Sequence, residues 1–175
     1  MLLSMSKTAV LTAVAALVIY ACGYRFADTG GFPPGVNFIF VQLFENRTSE
    51  VGIESIFTDE LINEFTSRGN AAALRESAER SDAVLTGTIK QVDIVNISKI
   101  SEMIVSERRV IVTVDASLVS PGGKTLWRIN GVSGTSTYAV DQDFYEITEG
   151  NKRTAIGVAA GKISEMLYNS LIEDF

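Results

Sequence analysis

Between residues 108 and 120 the chain alternates. Val110, Val112, Val114, Ala116 and Leu118 fall on one phase; Arg109, Thr113, Asp115 and Ser117 fall on the other, with Ile111 among them. Period-two alternation predicts a strand with one buried face and one wet face, as in an antiparallel sheet. Pro121-Gly122-Gly123 reads as a turn. Lys124 to Tyr138 then returns as a further strand, with Trp127 and Ile129 on its core face. Upstream, residues 83–100 predict a long strand in which the apolar phase moves from Leu85, Gly87 and Ile89 to Val92 and Ile94. A shift of one residue implies a bulge near Lys90-Gln91. Residues 36–44 are apolar on both phases: Ile39, Val41 and Leu43 on one, Val36, Phe38 and Phe40 on the other. That pattern predicts a central strand covered on two sides. Ala71 to Leu74 fits a short strand.

Two segments carry helical spacing instead. After the loop 45–49, with Thr48 or Ser49 as N-cap, Ile53, Ile56, Phe57, Leu61 and Phe65 recur at steps of three and four, and Gly69 suits the C-terminal stop. Residues 142–150 read as a polar link. A final helix is predicted over 154–172, with Ile156, Ala159, Ala160, Ile163, Met166, Leu167 and Leu171 as its stripe. Gly157 and Gly161 fit either a close contact with another helix or tight packing of helix on sheet. The second is favoured, because small-residue pairs at this spacing carry weight mainly inside membranes. The order of elements predicts an α+β, two-layer sandwich, with two helices packed on one face of a mostly antiparallel four-stranded sheet. The sheet's other face is left open for a partner or ligand.

The N-terminus reads differently. Lys7 precedes an apolar run from Thr8 to Tyr20, which has signal-peptide length and is too short to span a bilayer. Ile19-Tyr20-Ala21-Cys22 then resembles a lipobox, and Cys22 is the single cysteine of the chain. A thiol in that place, with no disulfide partner, is expected to be lipidated after cleavage. Gly23, rather than Asp, follows it, which is compatible with transfer to the outer membrane. The division predicted is therefore 1–21 signal peptide, 22–35 lipidated Gly/Pro-rich tether, and 36–175 one folded domain. Tyr24, Phe26 and Phe32 are expected to pack part of the tether on the domain.

Composition narrows the chemistry. Without residues 1–21 the chain keeps 14 basic and 21 acidic residues, a net charge of −7, which argues against nucleic acid as a partner. There is no histidine. That removes Ser-His-Asp and Cys-His catalysis and argues against a zinc site. No phosphate-binding glycine loop is present, and the acids are scattered as on a solvated surface. An enzyme is not expected, nor any cofactor.

Three segments point to a family. Cys22-Gly23-Tyr24-Arg25-Phe26 opens the processed chain. Val41 to Thr48 (Val-Gln-Leu-Phe-Glu-Asn-Arg-Thr) ends the first strand. Asp82 to Ile89 begins the long one. In this order and spacing the chain resembles the lipopolysaccharide-assembly lipoprotein family LptE, in a form divergent from the enteric one. The resemblance implies a palmitate-bearing outer-membrane lipoprotein that plugs and helps assemble the LptD β-barrel and contacts lipopolysaccharide during its insertion. It transfers no contact residues securely. Anionic lipid A phosphates call for local cations, and Arg108, Arg109, Lys124 and Arg128 are the candidates. The alternative is an activator or binding module for a periplasmic cell-wall synthase or another envelope complex. The tether from Cys22 to Val36 extends under roughly 50 Å, which favours a partner close to the membrane.

Overall fold

Strand β4 (Ile104–Val119) buries Val110, Val112, Val114, Ala116 and Leu118 on one side, as its alternation requires. It pairs antiparallel with β3 (Ala83–Ser101) and with β5 (Thr125–Ala139). The computed structural model describes residues 31–70, 73–101 and 104–174. The segment predicted as a signal peptide, Cys22, Tyr24 and Phe26 lie outside them, as do the first two residues of the short strand expected at 71–74. Of that strand, Leu74 makes a single bridge to Ile39.

The predicted bulge is present. β3 faces β4 as Ile89↔Val114 and then Gln91↔Thr113, so Lys90 is the extra residue and the apolar phase moves to Val92. A second bulge, not predicted from the pattern, lies in β5. β5 passes from Val132↔Val114 to Ile129↔Ala116, with Gly131 at φ 69°. The core phase of β5 therefore runs Trp127, then Val132, Gly134 and Tyr138, while Ile129 is half-buried.

The first strand departs most from expectation. It is broken into β1 (Ile39–Val41) and β2 (Glu45–Asn46), both parallel to β3 and both at its outer side. The sheet order is β1/β2, β3, β4, β5, so this is an edge position and not a central one. Val41 faces Leu85 and Glu45 faces Thr88, four steps against three. The extra residue inverts the phase: Leu43 is 57% exposed, and Phe44 turns inward to 3%. Gly87 on β3 makes room, since a Cβ there would lie 2.1 Å from the Phe44 ring. The Phe44 amide, left without a strand partner, donates to Thr58 Oγ1 at 3.0 Å. Of the supposed second face, Phe38 is exposed and carries the Arg75 guanidinium 3.4 Å over its ring.

Helix α1 (Ile53–Ser67) buries Ile53, Phe57, Leu61 and Phe65. Its N-cap is Gly52 at φ 77°, not Thr48 or Ser49. Asn46 explains the difference: its Oδ1 accepts from the Thr48 amide and hydroxyl at 2.9 and 2.8 Å, which holds Thr48 in a turn ahead of the helix. Gly69, at φ 84°, follows the helix as predicted. Phe32 stacks on Phe65 at 6.1 Å, so the segment read as tether already packs on the core there.

Helix α2 (Tyr145–Glu173) begins well before Thr154. Its first turns present Phe144, Tyr145 and Ile147 to solvent and show no apolar stripe, so periodicity was blind to them. Asp141 and Thr148 tie this end down. Asp141 Oδ1 accepts from the Asp143 and Phe144 amides, and Thr148 Oγ1 accepts from the Asp141 amide at 2.9 Å. Met166, placed on the stripe, is 39% exposed, and Tyr168 is buried in its stead, edge-on to Phe65 at 5.1 Å. Gly157 and Gly161 face α1 rather than the sheet, with Ile56 and Glu60 as nearest neighbours. The close approach of helix to sheet is made instead by Gly134 of β5, beneath Ala159 and Ile163. Both helices cover one face of a mixed, mostly antiparallel sheet, which is the α+β sandwich the element order implied.

Candidate functional site

Opposite the helices, the sheet presents Thr86 and Thr88 of β3, Thr113, Asp115 and Ser117 of β4, and Arg128, Asn130 and Ser133 of β5. These positions are polar because strand residues alternate between faces, and their partners on the other phase fill the core. Thr86 and Ser117 share a hydroxyl contact of 3.0 Å, as do Thr113 and Ser133. A shallow groove of about 380 Å³ crosses this face, lined by Arg47, Thr86, Thr88, Asp115, Ser117 and Arg128 among others.

The four predicted cations do not form one patch. Arg109 stands opposite Thr137 and Arg128 opposite Ser117, eight residues apart along β4 and both on the open face. That separation is about 27 Å of strand. Arg108 is the neighbour of Arg109 and so points to the other face, where its Nε donates to Asn96 Oδ1 at 3.2 Å. Lys124 is exposed in the β4–β5 turn, at the Arg128 end.

Three further charged residues of this face, Arg47, Lys90 and Asp115, are not among the four predicted contacts. Arg47 leaves β2 and pairs with Glu45, Nε to Oε1 at 2.9 Å. That hydrogen-bonded pair lowers the Glu45 pKa and raises that of Arg47. Lys90, the bulged residue, reaches Asp115 Oδ2 at 3.1 Å, and the Gly131 amide donates to Asp115 Oδ1 at 2.8 Å. The two bulges thus converge on one carboxylate. Partial burial of Asp115 opposes its ionisation, but the Gly131 amide, Lys90 and the field of Arg47 outweigh it, and its pKa lies below 3.8. The signal for Lys90 is its place at the phase shift and that for Asp115 its place on the wet phase of β4; Arg47 has none beyond lying within the segment 41–48.

A depressed carboxylate stabilises the fold above its ordinary pKa, and that contribution is lost as pH falls through the folded-state value. Asp115→Asn should therefore cost about 1 kcal/mol at neutral pH. The gap to wild type should close once the pH is well below 3.8. Urea unfolding at several pH values measures both; a gap that persists in acid would remove Asp115 ionisation from the account.

Among the described residues, no group of three or more His, Cys, Asp or Glu is placed to hold a metal ion. No helix among them is long and apolar enough to cross a membrane. The open face itself offers hydroxyls, amides and separated guanidinium groups.

The sequence profile of the family described as LptE, lipopolysaccharide-assembly, matches residues 37–171. The chain belongs to the LptE family. The match covers the sheet, both helices and the open face. No curated protein matches the chain by sequence. Solved structures similar to this LptE-family chain share its fold at low identity. A lipoprotein from Caulobacter crescentus is 11% identical, with a TM-score of 0.53, covering 74% of this chain and 88% of its own. Lipoprotein B from Nitrosomonas europaea is 13% identical, with a TM-score of 0.53, covering 85% and 88%. The rare lipoprotein B from Shewanella oneidensis is 11% identical, with a TM-score of 0.50, covering 77% and 95%. At such identities the likeness establishes the fold alone.

Proposed function

We propose that this LptE-family chain is an outer-membrane lipoprotein anchored through Cys22. In this reading it seats in the lumen of an LptD-type β-barrel, helps that barrel assemble, and contacts lipopolysaccharide on its way to the outer leaflet. The observation that carries the reading is the family match over 37–171, from the first strand to nearly the end of α2. Two features support it. The open sheet face is polar across three strands, as suits a domain inside a water-lined barrel. The single cysteine follows an apolar run of signal length, so acyl chains have one attachment point. The chain performs no chemistry of its own in this role.

Co-expression with the cognate barrel, followed by mild detergent extraction, tests the reading. A stable complex is expected, and recovery of the lipoprotein alone would sink it. Cys22→Ala should leave an unprocessed precursor that lacks the acyl mass; a wild-type mass by mass spectrometry would contradict anchoring through this residue.

For lipopolysaccharide contact, the proposed residues are Arg109 and Arg128 on the open face, with Lys124 at its rim and Arg108 at its flank. Charged acceptors such as lipid A phosphates suit guanidinium donors. Arg109→Glu and Arg128→Glu should each weaken lipopolysaccharide binding about tenfold while circular dichroism stays unchanged. Unaltered affinity in both variants would remove the open face as the contact surface.

A further inference from the structure

Strand β5 is an outer strand of the sheet. Exposed strand edges recruit further strands, because they carry N–H and C=O groups without partners. The Val140 amide donates to Ser106 O at 3.0 Å. Antiparallel residues alternate between bonded and non-bonded pairs. With Ala139↔Glu107, Thr137↔Arg109 and Thr135↔Ile111 in register, the backbone groups of Thr135, Thr137 and Ala139 turn outward. All three residues are exposed.

Side chains of α2 take two of the three outward carbonyls. Lys162 Nζ donates to Thr135 O at 2.8 Å, and Asn151 Nδ2 donates to Ala139 O at 3.1 Å. Between them runs a groove of about 220 Å³ lined by Thr137, Thr154 and Val158 among others. The opposite edge is closed in another way. There the Arg75 amide donates to Ile39 O at 2.8 Å, so main chain, not side chain, covers part of β1.

The geometry points to a guarded pairing surface: Lys162 and Asn151 hold the β5 edge shut, and the occupant it fits once they are withdrawn is the same edge of a second copy. A two-fold axis crossing an edge sets the strand antiparallel to its own image. Centred on Thr137, that pairing places Thr135 against Ala139 and brings no charged strand residue opposite another. Lys162 and Asn151 guard opposite ends of that pairing, because Thr135 O is held by one and Ala139 O by the other, so both must withdraw before the ladder can form. The chain is thereby kept single, independently of what it binds.

Sedimentation velocity of the lipidated protein in detergent micelles tests this. Wild type should remain monomeric, and Lys162→Ala combined with Asn151→Ala should self-associate at least about tenfold more tightly. Adding Thr137→Pro, which removes an outward N–H and no internal bond, should restore the monomer. If the double alanine variant loses its fold by circular dichroism, Lys162→Met with Asn151→Leu keeps the side-chain bulk and takes its place. A folded variant that stays monomeric overturns the proposal. So does a dimer that survives Thr137→Pro.

Discussion

Valine in place of Gly134 is expected to destabilise the fold by about 3 kcal/mol, the upper part of the range for overpacking a core. A Cβ at Gly134 would lie 2.6 Å from the Ala159 carbonyl oxygen and 2.8 Å from Ile163 Cγ1. The carbonyl belongs to α2, so it cannot withdraw without lifting a helix that buries Ala155, Ile156, Ala159, Ala160 and Ile163. Alanine should act in the same direction and less strongly. Gly150→Ala provides the contrast: it lies in α2 with open space around its Cβ position, and should stabilise by about 0.5 kcal/mol. Equilibrium urea unfolding reads all three. Wild-type stability in Gly134→Val would mean that α2 does not sit on β5 as described.

The second large effect concerns Phe44, which should cost about 3 to 5 kcal/mol when replaced by alanine. Its ring is 3% exposed, lies 6.1 Å from that of Phe57, and fills the space above Gly87. Gly87→Ala should also destabilise, because its Cβ would enter the Phe44 ring. In the Phe44→Ala background that clash is gone, so Gly87→Ala should become nearly neutral. The coupling between contacting sites should then exceed about 1 kcal/mol in a double-mutant cycle. Additive costs would show that ring and glycine do not share one space.

Both predictions rest on glycines that pattern reading treated as ordinary strand residues. Alternation placed Gly87 on the core phase, and did so rightly, but could not say that a neighbouring strand would fold an aromatic ring onto it. For Gly157 and Gly161 the same limit worked in reverse. Their spacing drew notice, yet each has only loose neighbours on α1. Close approach is a property of two elements, and one element's spacing does not encode it.

The candidate site divides along a similar line. Arg109 and Arg128 fall on the open face by the parity of their strands, and Arg108 falls on the other face by the same rule. Asp115 was read as a wet position, correctly. What gathers Lys90 and the Gly131 amide onto it is a pair of bulges on different strands. Only the bulge at Lys90 is predicted from the pattern, although across Asn130-Gly131 the apolar phase also moves, from Trp127 and Ile129 to Val132 and Tyr138.

From its residues alone this chain is a two-helix α+β sandwich with a polar open face, since period-two and period-3.6 patterns record which side of each element avoids water. The residues also carry a lipobox-like N-terminus and the family motifs. Tertiary structure alone decided that the first strand breaks at Leu43 and lies at the edge, that α2 starts before its apolar stripe, and that Lys162 and Asn151 reach the β5 carbonyls. Each of these depends on a partner distant in sequence: Gly87 and Thr58 for Phe44, Asp141 for the start of α2, and the outward half of β5 for its guards. Local hydrophobic pattern reports burial, but register, strand order and helix seating are set by complementarity between surfaces that meet only after folding.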